Sequence, residues 1–149
     1  MKRNIIGLII LTFLTTNIYA QKPIKAQKKM IGNKIENIEF TDYIKNIPNS
    51  KEFNDKFKVL EFWATWCKPC LEAVPHLNEL KTEFNNENNL VFLSITYEKP
   101  EKARKILEKI NFETIVVSDQ TKKIHNDLKI ENNGMMILPR TVLIDDSNK

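Results

Sequence analysis

Residues 59–70 read Val59-Leu60-Glu61-Phe62-Trp63-Ala64-Thr65-Trp66-Cys67-Lys68-Pro69-Cys70. The first half belongs to an apolar and aromatic run, Phe57 to Ala64. It is too short for a helix and reads as a strand buried on both faces, as in a parallel sheet. The second half holds both cysteines of the chain, with two residues between them, where the strand has ended and a helix begins. One helical turn across that spacing brings the sulfurs within bonding reach. A helix start offers free N–H groups and partial positive charge, which favour a thiolate at Cys67. Lys68 adds a cation beside it, and Pro69 suits a first helical turn, where a missing N–H leaves nothing unsatisfied. Cys70 lies a turn deeper and is expected to be less exposed. Cys67 is therefore the expected nucleophile toward a disulfide and Cys70 the resolving thiol.

Other uses of a Cys pair fit less well. A c-type haem attachment needs His directly after the second Cys, and Leu71 stands there. A zinc site needs four ligands, and the two histidines, His76 and His125, match no zinc spacing. A copper-chaperone pair of the related fold has three intervening residues. An inert structural disulfide is the remaining alternative, disfavoured because a pair at a strand-to-helix junction is expected to be accessible.

Outward from this segment, strand and helix patterns alternate. Pro69 to Phe84 places Leu71, Val74, Leu77, Leu80 and Phe84 at three- and four-residue steps, an amphipathic helix. Leu90 to Thr96 is a second buried strand. Pro100 to Ile110 is a helix opened by proline. Ile115 to Val117 is a short strand, Thr121 to Leu128 a short helix, and Asn132-Asn133-Gly134 a turn. Arg140 to Ile144 is a last strand directly after Pro139. Upstream, Ile35 to Ile47 predicts a short irregular strand and turn. The alternation predicts an α/β domain.

The 149 residues suffice for one domain, and 42% apolar with 28% charged residues fits a globular chain. Three glycines leave no Gly-rich phosphate loop. The net charge of +4 is too small for a clustered basic face, so no nucleic-acid partner is expected. Lys, Asn and Ile make up 56 residues, so a single Lys or Asn carries little functional weight.

Lys2 and Arg3, the apolar run Ile5 to Leu14, and Ile18-Tyr19-Ala20 read as a secretory signal peptide cleaved after Ala20. The run is short of a membrane span, so none is expected after cleavage. Residues 21–34, with five lysines, read as a basic solvated linker, and 35–149 as the folded domain. Export to the periplasm or cell envelope would put the cysteines where disulfides persist.

The 59–70 segment strongly resembles the thioredoxin active-site segment. Together with the leader and Ile137-Leu138-Pro139-Arg140-Thr141-Val142-Leu143-Ile144-Asp145, it resembles the exported TlpA/ResA-like branch of that superfamily, over roughly residues 35–149. The resemblance implies a thioredoxin-like fold, a central mixed sheet flanked by helices. The implied activity is thiol-disulfide exchange on protein disulfides, with no cofactor beyond the Cys67–Cys70 disulfide and no metal. A membrane electron donor or thiol-exchange partner would recharge it. Pro139 matches the family's cis-proline, lying across from the cysteines and leaving the Leu138 backbone free for an extended substrate. A trans proline opening a strand is the alternative. Trp66, Lys68 and Pro69 would line the substrate side, and Trp66 would otherwise be core packing. Pro75 falls where the family helix kinks. Glu61 stands where thioredoxin has Asp. It is expected to be buried beneath the cysteines and to take the proton of Cys70, the alternative being a strand-edge Glu reaching solvent.

Three features depart from the pattern. Ala73 stands three residues after Cys70, where many exported relatives have Glu, and Glu72 is one place early. Arg140 follows the proline where a small residue is common. It is expected to face solvent, or else to add positive field near Cys67. The family fold continues past a strand like 140–144 into another strand and a closing helix, so an exposed strand edge and an uncovered sheet face are expected. The expectation is a piece of a longer product, the alternative a partner that supplies the missing layer; the competing function is a non-catalytic thioredoxin-like binding module or an inactive truncated fragment. His76 and His125 are expected to be surface or packing residues without partners.

Overall fold

A computed structural model describes residues 25–36, 38–50, 53 and 55–149 of the chain. The proposed leader and the first residues of the linker lie outside these. A five-stranded mixed sheet forms the centre, in the spatial order β1 (Asp42–Lys45), β4 (Ile115–Ser118), β3 (Leu90–Thr96), β2 (Phe57–Phe62), β7 (Arg140–Ile144). β2, β3 and β4 run parallel, while β1 and β7 run antiparallel at the two edges. Helices α2 (Lys68–Glu72), α3 (Val74–Glu83), α4 (Pro100–Leu107) and α5 (Lys123–Asp127) fill the connections. The expected mixed sheet flanked by helices is present.

Side-chain alternation on the central strands divides the core between the two sheet faces. One cluster gathers Leu60 and Phe62 of β2, Leu93 and Ile95 of β3, Val117 and Ile144, with Ile124 and Leu128 from α5 and its end. The other gathers Trp63, Cys67, Cys70 and Val74 with Ala103, Phe112 and Val116. Expected burial of both faces holds for the end of β3, whose last five residues are all buried. β2 instead alternates, with Lys58, Leu60 and Phe62 buried and Phe57, Val59 and Glu61 less so. β7 forms a sheet edge, and its Leu143 is 72% exposed.

Three local features have physical causes, the first an expected kink and the other two departures from expectation. The helix after the cysteines breaks at Ala73, which caps both α2 and α3. Pro75 has no N–H to give the carbonyl four residues back, so one continuous helix loses a bond there. The Asn-Gly turn closes a small hairpin, β5 (Glu131–Asn132) with β6 (Met135–Met136). Asn133 and Gly134 both have positive φ, the conformation two-residue hairpin loops demand. The described part of the linker is not a free tether. It holds a single helical turn, α1 (Lys25–Lys28), and Gln27 Nε2 donates to the Lys129 carbonyl at 3.0 Å. Met30 and Ile35 pack against the first cluster.

Candidate active site

The site forms because three parallel strands end on one side of the sheet. Trp63 follows β2, Tyr97 and Glu98 follow β3, and Asp119 follows β4. β7 is antiparallel, so its start meets the end of β2, with Arg140 opposite Phe62. The residues before it, Leu138 and Pro139, thereby reach the same end of the sheet as the cysteine turn. Leu138 packs against both core clusters, including the one that contains Cys67 and Cys70. The Leu138–Pro139 bond is cis, as the resemblance implied.

Beyond β2, the Trp63 N–H donates to the Ile95 carbonyl and the Cys67 N–H to the Ala64 carbonyl, both at 3.0 Å. This turn puts Cys67 at the N-cap of α2, with Pro69 in the first helical turn. Cys67 and Cys70 form a disulfide, S–S 2.01 Å and Cα–Cα 5.3 Å. The expected difference in exposure is not found. Both cysteines are 3% exposed, because Trp63, Val74 and Leu138 crowd the bonded pair. Position still distinguishes them: Cys67 sits at the helix mouth, whereas the Cys70 Sγ lies inside, 3.9 Å from the Phe62 carbonyl oxygen.

The other expected residues are dispersed around this pair. Lys68 is exposed and engaged by Glu72 at 3.6 Å, so its charge is partly neutralised rather than directed wholly at Cys67. Trp66 is 56% exposed, which excludes the core-packing alternative. Glu61 is only partly enclosed. Its carboxylate accepts the hydroxyl of Thr141, its cross-strand partner on β7. Burial pushes the Glu61 carboxyl above its ordinary range, with the Thr141 hydroxyl and the Arg140 guanidinium pulling the other way. Arg140 is half-buried rather than turned fully to solvent, and its Nε has no partner among the described residues.

Two groups escaped the sequence reading. Glu98 is 6% exposed; its carboxylate accepts the backbone N–H of Thr65 and, at 2.9 Å, its hydroxyl, and pairs with Lys102. His125 is fully buried, as the packing alternative allowed, but it is not without a partner. Its Nδ1 meets Asp119 Oδ2 at 2.7 Å, and its backbone N–H donates to the same oxygen at 2.9 Å. Asp119 lies six residues upstream, in the turn between β4 and α5 rather than at the helix cap, which is Lys122, so the spacing alone gave no signal for the pair. For Asp119, burial acts to raise the carboxyl, but the bonds from His125 outweigh it and hold the group below its ordinary value. His76, in contrast, is exposed beside Glu79. Among the described residues no group of His, Cys, Asp and Glu is placed to hold a metal ion, and no helix is long and apolar enough to cross a membrane.

Comparison with known proteins agrees with this geometry. The AhpC/TSA family matches residues 31–149. The chain is 28% identical over 147 residues to the thiol-disulfide oxidoreductase ResA of Bacillus thuringiensis subsp. konkukian, covering 99% of this chain and 82% of that protein. The ResA of Geobacillus thermodenitrificans is 26% identical over 148 residues, with the same coverage. Among solved structures, StoA from Bacillus subtilis superposes with a TM-score of 0.63 at 13% identity, over 77% of this chain and 84% of that one. A thiol-disulfide oxidoreductase from Bacteroides fragilis gives 0.57 at 24% identity, over 68% and 73%. At those identities the two structures speak for the fold alone. With its paired cysteines at a strand-to-helix turn and a family match over most of its length, the chain belongs to the AhpC/TSA family, among the thioredoxin-like thiol-disulfide oxidoreductases.

Proposed function

We propose that the protein is an exported enzyme that reduces or exchanges disulfides of envelope proteins. The observation that carries this reading is the Cys67–Cys70 pair at a helix mouth. In the reduced enzyme the Cys67 thiolate attacks one sulfur of a substrate disulfide. The S–S bond breaks, one substrate thiolate leaves and is protonated, and a mixed disulfide remains. The Cys70 thiolate then attacks the Cys67 sulfur, releases the second substrate thiol and leaves the Cys67–Cys70 disulfide. Two electrons have passed to the substrate, and an external dithiol, supplied by a membrane partner, restores the reduced pair.

Trp66, Lys68, Pro69, Leu138 and Pro139 are the surface on which substrate would lie. Neither the N–H nor the carbonyl of Leu138 takes a backbone partner among the described residues, which suits pairing with an extended peptide. Glu61 is assigned the proton of Cys70. Its raised carboxyl supports this, and it directly precedes Phe62, whose carbonyl lies against the Cys70 sulfur. Export rests on residues 1–20, read as a leader, with 21–34 connecting it to the domain.

A non-catalytic thioredoxin-like module is the competing reading, favoured by the low exposure of both sulfurs. A disulfide-reduction assay on insulin, with an external dithiol as electron source, separates the two. The wild-type protein is expected to accelerate precipitation of the insulin B chain, and Cys67→Ser to abolish the acceleration. Equal rates for the two proteins would falsify the enzymatic reading.

A further inference from the structure

The two residues before Cys67 are each held by one of two consecutive residues that follow β3. Glu98 takes the N–H and hydroxyl of Thr65, and the Tyr97 hydroxyl accepts the indole N–H of Trp66 at 3.0 Å. Tyr97 is itself fixed on two sides. Its ring stands edge-to-face on His125, centroids 5.7 Å apart at 86°, and Lys122 Nζ lies 5.3 Å from its centroid. Lys122 is anchored by Glu131 at 2.9 Å. His125 is held by Asp119, whose own N–H donates to the Thr96 carbonyl of β3 at 2.7 Å. A chain of directed contacts thus runs from the central sheet through Asp119, His125 and Tyr97 to an indole that is 56% exposed.

An exposed tryptophan that only shielded the disulfide would not need this bracing. A rigid aromatic surface directly beside the nucleophile binds an incoming apolar side chain without first losing its own rotamer freedom. We propose that Tyr97 and Glu98 are positioning residues. They fix Trp66 as a docking wall for peptides that carry an apolar or aromatic residue next to the disulfide to be exchanged. This rests on the exchange reading and adds a substrate class to it: the occupant reaches Cys67 in an extended conformation, with its apolar flank on the indole.

The test compares wild type with Tyr97→Phe, which keeps the ring and its contact with His125 but removes the hydroxyl. Two disulfide-linked peptides serve as substrates, one with Phe and one with Ser beside the cysteine. For the Phe peptide, KM is expected to rise about fivefold, the scale of one lost hydrogen bond, with kcat held. For the Ser peptide, KM should move less than about twofold, since little of it rests on the indole. In ¹⁵N NMR the Trp66 indole N–H should shift and lose protection from exchange, while that of Trp63 stays. In a Trp66→Phe background, Tyr97→Phe should have no further effect on KM. An unchanged KM for the Phe peptide, or an equal rise for both peptides, overturns the inference and leaves disulfide exchange standing. Wild-type protein inert toward both peptides overturns the exchange reading and the inference with it.

Discussion

Glu61 and Glu98 are carboxylates placed in opposite ways. Glu98 is enclosed and fully engaged, by an N–H, a hydroxyl and the Lys102 ammonium. Removing it with Glu98→Ala leaves a Thr65 N–H unsatisfied beside the cysteine turn. We expect a loss of about 1–2 kcal/mol in urea denaturation, the lower part of the range for an orphaned donor because Thr65 is only partly buried. Lys102→Ala should lose far less, because that side chain is 59% exposed. Glu61 is less engaged, and burial raises its carboxyl above the ordinary 4.5. A raised carboxyl is a usable base only above its own folded value. Wild-type disulfide reduction should therefore show an acid limb above pH 4.5, and Glu61→Gln should remove that limb and slow turnover by about 10²-fold at neutral pH. A profile identical in both proteins would take Glu61 out of the mechanism. Glu61 was visible in the sequence because it interrupts an apolar strand. Glu98 was not, since it lies in a polar stretch between strand and helix, and only the fold brings it to Thr65.

At the scale of elements, β2, β3, β4 and β7 were legible from their apolar density, and α4 from its opening proline. Two features turn on single backbone positions, of which the kink at Pro75 was legible and the strands of the small hairpin were not. The break between α2 and α3 depends on the N–H that Pro75 lacks, and the β5–β6 hairpin on two residues with positive φ. Helix α5 shows the same dependence at its end. Lys129 follows the Leu128 cap with φ 56, the left-handed conformation that favours glycine after a helix. Its N–H donates to the Asn126 carbonyl, and its carbonyl accepts Gln27, both backbone functions that glycine keeps. Lys129→Gly should therefore stabilise the protein by about 0.5–1 kcal/mol, read as a higher urea midpoint at unchanged slope.

In the whole molecule, the ends of three parallel strands and the start of one antiparallel strand meet on one side of the sheet. Cys67, Tyr97, Glu98 and Asp119 share a neighbourhood for that reason, although they span 53 positions of the sequence. Two cysteines with two residues between them announce themselves in any reading; a histidine six residues after an aspartate does not. Asp119 and His125 tie the end of β4 to α5 and support the ring of Tyr97, so their pairing affects global stability as well as the site. The Asp119 carboxyl is held below its ordinary 3.8 in the folded protein, so the unfolded chain binds this proton at higher pH. Stability from the pair is complete above the unfolded value. It is lost as pH falls through 3.8 toward the lower folded value. Asp119→Asn keeps the size of the side chain but loses the charge, and should cost about 1.5–3 kcal/mol at pH 7, the scale of hydrogen bonds to a charged group. The gap between variant and wild type should narrow below pH 4 as wild-type Asp119 takes up its proton. Urea denaturation of both proteins from pH 7 to pH 3 measures that gap. A constant difference across the range would mean that shape, not charge, is what Asp119 contributes.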